Sequence, residues 1–134
     1  MPESTATRPS LRLNAVCIDC TDAEDIAEFY VRLFGWEVLA GGGGNWIKVG
    51  ARAGGVELNI QSEDWYEPPV WPERPGALTK MLHFEVETDD VPAAAAYAVT
   101  LGAREAAPQP EGGDPATLRV MLDPAGHPFC LWSP

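Results

Sequence analysis

The sequence predicts an α+β fold in which two tandem βαβββ modules form a curved, mostly antiparallel sheet around a cavity. A helix flanked by strands occurs twice, and each of the two helices ends at a glycine. The helical stretches have matching lengths, 13 positions from Asp22 to Gly35 and 12 from Asp90 to Gly102. Repetition of this kind indicates that each half buries its sheet only by packing against the other copy. A chain of 134 residues suits one such domain.

The first module contains an amphipathic helix followed by short strands. Thr21 and Glu24 form a capping-box pattern at the start of the helix, and Gly35 supplies its C-terminal stop. The apolar residues recur at helical spacing and so share one face: Ile26, Phe29, Tyr30, Leu33 and Phe34. Strands are predicted at 13–20, 36–39, 46–49 and 56–61.

The second module repeats this order with an alanine-rich helix over 91–101. Its strands are predicted at 81–87, 103–106, 117–122 and 128–132. Residues 1–10 hold Pro, Ser and Thr and are expected to form a disordered tail. The single domain then covers 11–134, with modules at about 11–62 and 80–134 and a proline-rich linker at 63–79.

Alternation along the strands separates an apolar face from a polar one. The helix-covered face is predicted to hold Val16, Ile18, Val56, Leu58, Ile60, Leu82, Phe84, Val86, Phe129 and Leu131. The opposite face holds Leu13, Ala15, Cys17, Asp19, Glu57, Asn59, Gln61, His83, Glu85, Glu87, Cys130 and Trp132. On a strongly curved sheet this polar face is concave, so we expect it to bind a small molecule.

Composition narrows the classes of partner. The net charge of −11 and the absence of a basic cluster argue against nucleic acid. No apolar run approaches the roughly 20 residues that a membrane helix needs. The sequence has no pattern typical of a secretory signal, and three cysteines agree with a reducing compartment, so a cytoplasmic protein is expected. Cys17 and Cys20 have redox-motif spacing, but on one strand their side chains point to opposite faces.

Aromatic residues offer two interpretations. Trp46, Trp71 and Trp132 are candidates for flat walls around a ligand. Trp65 and Trp71 also suit a role as hydrophobic anchors of the linker, and His127 lies in a turn where exposure is expected.

Three stretches resemble the glyoxalase/bleomycin-resistance/extradiol-dioxygenase superfamily, also called the vicinal oxygen chelate fold. They are Asp22 to Tyr30 with Leu33-Phe-Gly35, Leu82-His-Phe-Glu-Val86, and Asp123-Pro-Ala-Gly-His-Pro-Phe-Cys-Leu131. The linker segment Pro68-Pro-Val-Trp-Pro72 is similar to that of the glyoxalase-like branch. The superfamily includes isomerases, lyases, dioxygenases and drug-binding proteins, and the resemblance implies a homodimer.

The resemblance also places a possible metal site. Metal-dependent members use four cavity-facing ligands, which map here to Ala15, Glu57, His83 and Cys130. Alanine cannot ligate, and a thiolate is a soft donor where a hard carboxylate is expected. Glu57, His83 and Cys130 could still form a three-ligand zinc site with an open position. The alternative, which we adopt as the expectation, is that the protein has no metal cofactor.

The expected function is therefore the binding of a small molecule, with three alternatives for the fate of the bound molecule. A metal-independent lyase or isomerase would use His83 to move a proton, with Glu57 or Glu85 as the orienting carboxylate. His83 could equally be a structural residue paired with one of these carboxylates. A drug-sequestering protein would hold a cationic compound in an acidic cavity. A metal-dependent glyoxalase or dioxygenase is the third alternative.

Overall fold

The computed structural model describes residues 7–134. The first six residues of the predicted tail lie outside the described part. The secondary-structure elements are β1 (Ala15–Cys20), α1 (Ala23–Phe34), β2 (Glu37–Gly41), β3 (Trp46–Gly50), β4 (Glu57–Ser62), β5 (Phe84–Glu87), α2 (Val91–Thr100), β6 (Arg104–Glu105), β7 (Leu118–Leu122) and β8 (Pro128–Trp132).

Two four-stranded sheets repeat one topology, which confirms the predicted tandem βαβββ modules. Sheet A has the order β1-β4-β3-β2, and sheet B has the order β5-β8-β7-β6. In each sheet the first strand pairs in parallel with the last strand of its module, and the other pairs are antiparallel. β1 and β5 are therefore edge strands with one paired side each.

Helix α1 begins one residue later than its capping pattern predicted. The N-cap is Asp22, whose carboxylate accepts hydrogen bonds from the backbone of Glu24 and Asp25. Aspartate is a strong N-cap because its oxygens satisfy backbone N–H groups that the first turn leaves free. Gly35 ends the helix with φ 68°, a left-handed conformation that glycine adopts without strain, as the sequence predicted.

One hydrophobic core joins the two modules behind both sheets. Phe29 and Tyr30 of α1 are 2% and 1% exposed and contact the second module through Phe129 and Phe84. Val91 of α2 belongs to the same core. These aromatic side chains therefore bring residues of both modules into one core.

The predicted helix-covered face is correct except at strand ends. Ile18, Leu58, Ile60, Phe129 and Leu131 are buried, whereas Val56 is 68% and Leu82 51% exposed. Those two residues come before the first residue of β4 and of β5, so alternation no longer fixes their direction.

Asp123, in the turn between β7 and β8, is the one fully buried charged residue among those described. Its Oδ2 accepts a 2.5 Å hydrogen bond from the Tyr30 hydroxyl, and its Oδ1 accepts from the backbone N–H groups of Ala125 and His127. A buried carboxylate is stable only when paired in this way. The turn therefore fastens the second module to α1 of the first.

Candidate functional site

The polar face of sheet A carries the predicted residues of β1 and β4 in direct register. Cys17 lies beside Asn59, and Asp19 lies beside Gln61. On the other side of β4, Lys48 and Trp46 are the neighbours of Asn59 and Gln61. Glu57, predicted as a candidate orienting carboxylate, makes an ion pair with Lys48 at 3.5 Å.

This face contains an acceptor that the protein leaves unsatisfied. The Asn59 Oδ1 atom is buried and has no hydrogen-bond partner among residues 7–134. Its neighbour Gln61 donates to the carboxylate of Glu63 at 2.5 Å, which ties the end of β4 to the first linker residue. Sheet A thus presents polar groups that extend onto the linker.

The polar face of sheet B is arranged differently from the prediction. Glu85, and not His83, lies opposite Cys130, and Glu87 lies opposite Trp132. His83 comes one residue before β5, with its Nε2 3.9 Å from the Glu85 carboxylate. Cys17 and Glu85 occupy equivalent positions in the two modules, because each lies five residues before a helix N-cap. Their strand partners, Asn59 and Cys130, are therefore equivalent as well.

Trp71 of the linker packs against this second face. Its ring packs with Cys130 against a small buried cluster of Ala106, Val120 and Leu122. The indole N–H donates to the carbonyl of Pro108 at 2.9 Å, and Lys80 lies 4.9 Å from the ring centroid. Trp71 is thus an anchor of the linker, as one of its two interpretations held, whereas Trp65 is 94% exposed and anchors nothing.

His83, Glu85 and Glu87 line a pocket of about 690 Å³ along the free edge of β5. We call it the β5-edge pocket. Its other wall is apolar and includes Phe34, Trp36, Val56 and Leu58. Glu57 is not among its lining residues.

A second cavity of about 660 Å³ lies between β1, the linker and the β7–β8 turn. We call it the linker cavity. Its charged lining is predominantly acidic, with Asp19, Glu63 and Glu67 against Lys80 alone, and Lys80 is itself paired with Glu73. Cys17, Trp65, Tyr66 and His127 complete its polar and aromatic lining. Of the predicted ligand-binding residues, Asp19 is the one that this cavity contains.

Tyr66 and His127 form a fixed corner of the linker cavity. The Tyr66 hydroxyl donates to the carbonyl of Ala125 at 2.7 Å and lies 3.3 Å from His127 Nε2. That nitrogen is also 2.6 Å from the backbone oxygen of Asp19. Because a carbonyl oxygen only accepts, Nε2 carries the hydrogen. His127 is half-buried, contrary to the exposure expected from its position in a turn.

The thiol and the phenol that line this cavity keep their protons at neutral pH. Burial, with Asp19 and Glu63 nearby, raises the pKa of the Cys17 thiol above its ordinary value. Burial, with the Asp123 and Cys20 groups nearby, raises the pKa of Tyr66. Across the molecule, burial and Glu85 likewise raise the pKa of Cys130. All three groups are therefore neutral at pH 7, and the thiols are poor nucleophiles.

The residues mapped to a metal site do not fit a metal ion. Glu57 is paired with Lys48, His83 lies beside Glu85, and Cys130 packs against the same small apolar cluster as Trp71. Among the residues described, no three His, Cys, Asp or Glu side chains are grouped closely enough to hold an ion. A catalytic zinc site needs at least three such ligands.

Sequence comparison assigns the family. A model of the glyoxalase-like domain matches residues 15–132, nearly all of the chain. The chain belongs to the glyoxalase-like domain family. This family is part of the vicinal oxygen chelate superfamily, so the resemblance seen in the sequence is confirmed. A search of curated proteins finds no match to the chain.

Solved structures of the same fold cover almost the whole glyoxalase-like chain. An antibiotic binding protein from Streptomyces sp. CB03234, TnmS3, is 21% identical with a TM-score of 0.61, over 96% of this chain and 99% of that one. A glyoxalase/bleomycin resistance protein/dioxygenase family enzyme from Burkholderia phytofirmans PsJN is 18% identical with a TM-score of 0.64, over 90% and 96%. The trypanothione-dependent glyoxalase I of Leishmania major is 16% identical with a TM-score of 0.60, over 92% and 87%.

Family membership and fold together support the binding of a small molecule. The roles assigned to individual residues, the homodimer and the cytoplasmic location stay predictions. No helix within residues 7–134 is long and apolar enough to cross a bilayer.

Most residues that line the linker cavity were not predicted from the sequence. Glu63, Tyr66 and Glu67 lie in a segment without periodicity, so nothing in the sequence fixed their direction. His127 could have been found, because the Asp-Pro-Ala-Gly-His turn brings the residue after a glycine back against the aspartate.

Proposed function

We propose that this glyoxalase-like protein binds a small organic cation non-covalently in the linker cavity, as a sequestering or carrier protein. The observation that supports the proposal is the lining of that cavity, in which three carboxylates face one already paired ammonium group. Carboxylates of one sign grouped around a cleft raise the local concentration of cations. Tyr66 and Trp65 add aromatic surfaces that attract cations through their ring faces.

Holding a ligand agrees with this geometry better than transforming it. A proton-transfer enzyme needs a group near the ligand whose proton is exchanged close to neutral pH. The thiol of Cys17 and the phenol of Tyr66 have raised pKa values and keep their protons, and the Nε2 hydrogen of His127 is donated to the backbone oxygen of Asp19. His83, Glu57 and Glu85, the predicted catalytic residues, lie outside the linker cavity. The antibiotic-binding role of the Streptomyces protein of the same fold supports a binding function as well.

The test uses a permanent cation and a neutral molecule of the same shape. Trimethylphenylammonium and tert-butylbenzene differ in charge alone, and titration followed by NMR measures weak binding of both. We expect the cation to bind about tenfold more tightly, since three exposed carboxylates that each contribute up to about 1 kcal/mol together supply the roughly 1.4 kcal/mol this requires. Equal binding of the two compounds would contradict the proposal.

Charge-neutralising variants locate the site. Asp19→Asn and Glu63→Gln should each weaken binding of the cation about three- to tenfold and leave the neutral compound unaffected. Glu28→Gln is the matched control, because it removes the same charge from the outer face of α1, where Glu28 pairs with Arg32. If Glu28→Gln weakened binding as much as the cavity variants, the net charge of the protein would explain the effect.

A further inference from the structure

The linker cavity and the β5-edge pocket both open at the edge of a sheet. Consecutive residues of β1, 17–19, line the linker cavity, and consecutive residues 83–87 line the β5-edge pocket. Neighbouring side chains of a strand point to opposite faces, so a cavity lined by consecutive residues lies at the strand's edge and not on one face. β1 and β5 are the edge strands of their sheets, and each has one side that pairs with no strand within residues 7–134.

The two cavities are neighbours in both modules. In the second module, Leu82 lines the linker cavity and the next residue, His83, lines the β5-edge pocket. In the first module, Ile18 lines the linker cavity, whereas Leu58 of the β5-edge pocket pairs with Val16. Val16 and Ile18 are two residues apart on one strand, a distance of about 7 Å. The cavities therefore follow one another along the edges of β1 and β5.

Large apolar side chains are exposed where the two cavities adjoin. In the linker cavity, Met81 is 93% exposed, and Leu78 and Leu82 are each 51% exposed. In the β5-edge pocket, Val56 is 68% exposed. Exposed apolar residues grouped around a cavity are typical of a binding surface. A compact cation held by the carboxylates of the linker cavity would leave the apolar wall of the β5-edge pocket in contact with water.

We propose that the ligand is an amphiphilic cation, with its ammonium group in the linker cavity and its hydrocarbon tail extending along the strand edges into the β5-edge pocket. This inference rests on the proposed function. Asp19 and Glu63 supply the charge at one end, and Phe34 and Trp36 belong to the apolar wall at the other. Asp19 lies three residues after Val16, about 10 Å along β1. An extended octyl chain spans a distance of that order.

The experiment varies the length of the tail at constant charge. Butyl-, hexyl- and octyltrimethylammonium are titrated at concentrations below those at which they form micelles, and binding is followed by NMR. We expect the affinity to rise about two- to fourfold for each added methylene group, since each one leaves water for an apolar wall. Asp19→Asn should weaken binding of the three compounds by the same factor, because they share the ammonium group.

Two variants place an amide in the path of the tail at exposed positions. Val56→Gln and Met81→Gln should each lower the ratio of the octyl to the butyl affinity about threefold, because apolar area that the tail would cover is lost. Val38→Gln is the matched control. Val38 is 54% exposed on β2 and lines neither cavity, so this substitution should leave the ratio unchanged.

The outcomes separate the inference from the proposed function. An affinity that does not depend on chain length, or a dependence that neither Val56→Gln nor Met81→Gln reduces, would overturn the inference and leave the capture of compact cations standing. Absence of binding for every compound, trimethylphenylammonium included, would overturn both.

Two further results would also overturn the inference. A greater loss of octyl affinity in Glu87→Gln than in Asp19→Asn would place the ammonium group in the β5-edge pocket, which Glu87 lines. Sedimentation that shows a dimer, dissociated by Val56→Gln or Met81→Gln, would mean that a second copy of the chain covers these apolar residues.

Discussion

The polar faces of the two modules share a topology and differ in what covers them. On sheet A, Asp19 and Cys17 line the linker cavity, and the buried Asn59 Oδ1 lacks a hydrogen-bond partner among the described residues. On sheet B, Trp71 and Cys130 pack against the same buried cluster of Ala106, Val120 and Leu122. There the side chain of Gln109 exchanges hydrogen bonds with the backbone of Val120 at 2.8 and 2.9 Å and also donates to Ala106.

The difference arises from the linker, which the repeat does not contain twice. It leaves β4 at Ser62, passes the edge of β1 and then crosses sheet B before it enters β5. Buried polar groups are normally satisfied, so a face whose groups are satisfied internally is structural and a face with open groups is a candidate for binding. Duplication alone would have made the two faces equivalent.

The largest effect is expected where the β7–β8 turn fastens the modules together. Tyr30→Phe removes the donor to Asp123 Oδ2 and leaves part of a buried carboxylate unpaired. We expect a loss of about 2–4 kcal/mol in the free energy of unfolding, measured by urea denaturation. Tyr97→Phe is the control, since that hydroxyl donates to Arg32 at an exposed site and should cost less than about 1 kcal/mol. Equal losses would mean that Asp123 is not the main link.

The cover of sheet B is tested by removing Trp71. Trp71→Ala should lower the free energy of unfolding by about 1–3 kcal/mol, because the half-buried indole and its hydrogen bond to Pro108 are lost. It should also lower the pKa of Cys130, whose elevation is due first to burial, and so speed its reaction with a thiol reagent in a Cys17→Ser background. Trp65→Ala, at an exposed site, should change neither quantity. Unchanged reactivity of Cys130 would show that Trp71 does not shield the face.

The contact between the turn and the linker is tested at Gly126. This residue has φ 90°, and an added Cβ would lie 2.7 Å from Cβ of Pro68. Gly126→Ala should therefore cost about 1–3 kcal/mol of stability and weaken ligand binding by displacing the linker. Gly112→Ala is the control: its φ is 76° and there is open space around it, so it introduces the backbone strain without a steric clash. A loss no greater than in that control would show that the linker tolerates the displacement.

The smallest effect is expected from metal ions. Ala15 provides no donor atom, and Glu57, His83 and Cys130 have separate partners. Elemental analysis of protein purified without chelators should find well under one equivalent of zinc, iron or nickel. Stoichiometric metal that is lost in His83→Ala would contradict this prediction and restore a metal-dependent activity as a candidate.

The fold was accessible from the sequence because periodicity and capping are local. The apolar face of α1, the stop at Gly35 and the alternation of β4 each depend on neighbouring residues. The site was less accessible, because it depends on where the linker crosses the sheets. Glu63 and Tyr66 follow no repeating pattern, and the partner of Glu57 was set by the register of β3 against β4.

The position of the bound cation tests the central claim most directly. The N-methyl protons of trimethylphenylammonium give one sharp resonance, and nuclear Overhauser effects from it identify the side chains within about 5 Å. We predict effects to the rings of Tyr66 and His127, which line the linker cavity. Effects to Trp71 and Trp132 instead would place the ligand on sheet B and contradict the assignment of binding to the linker cavity.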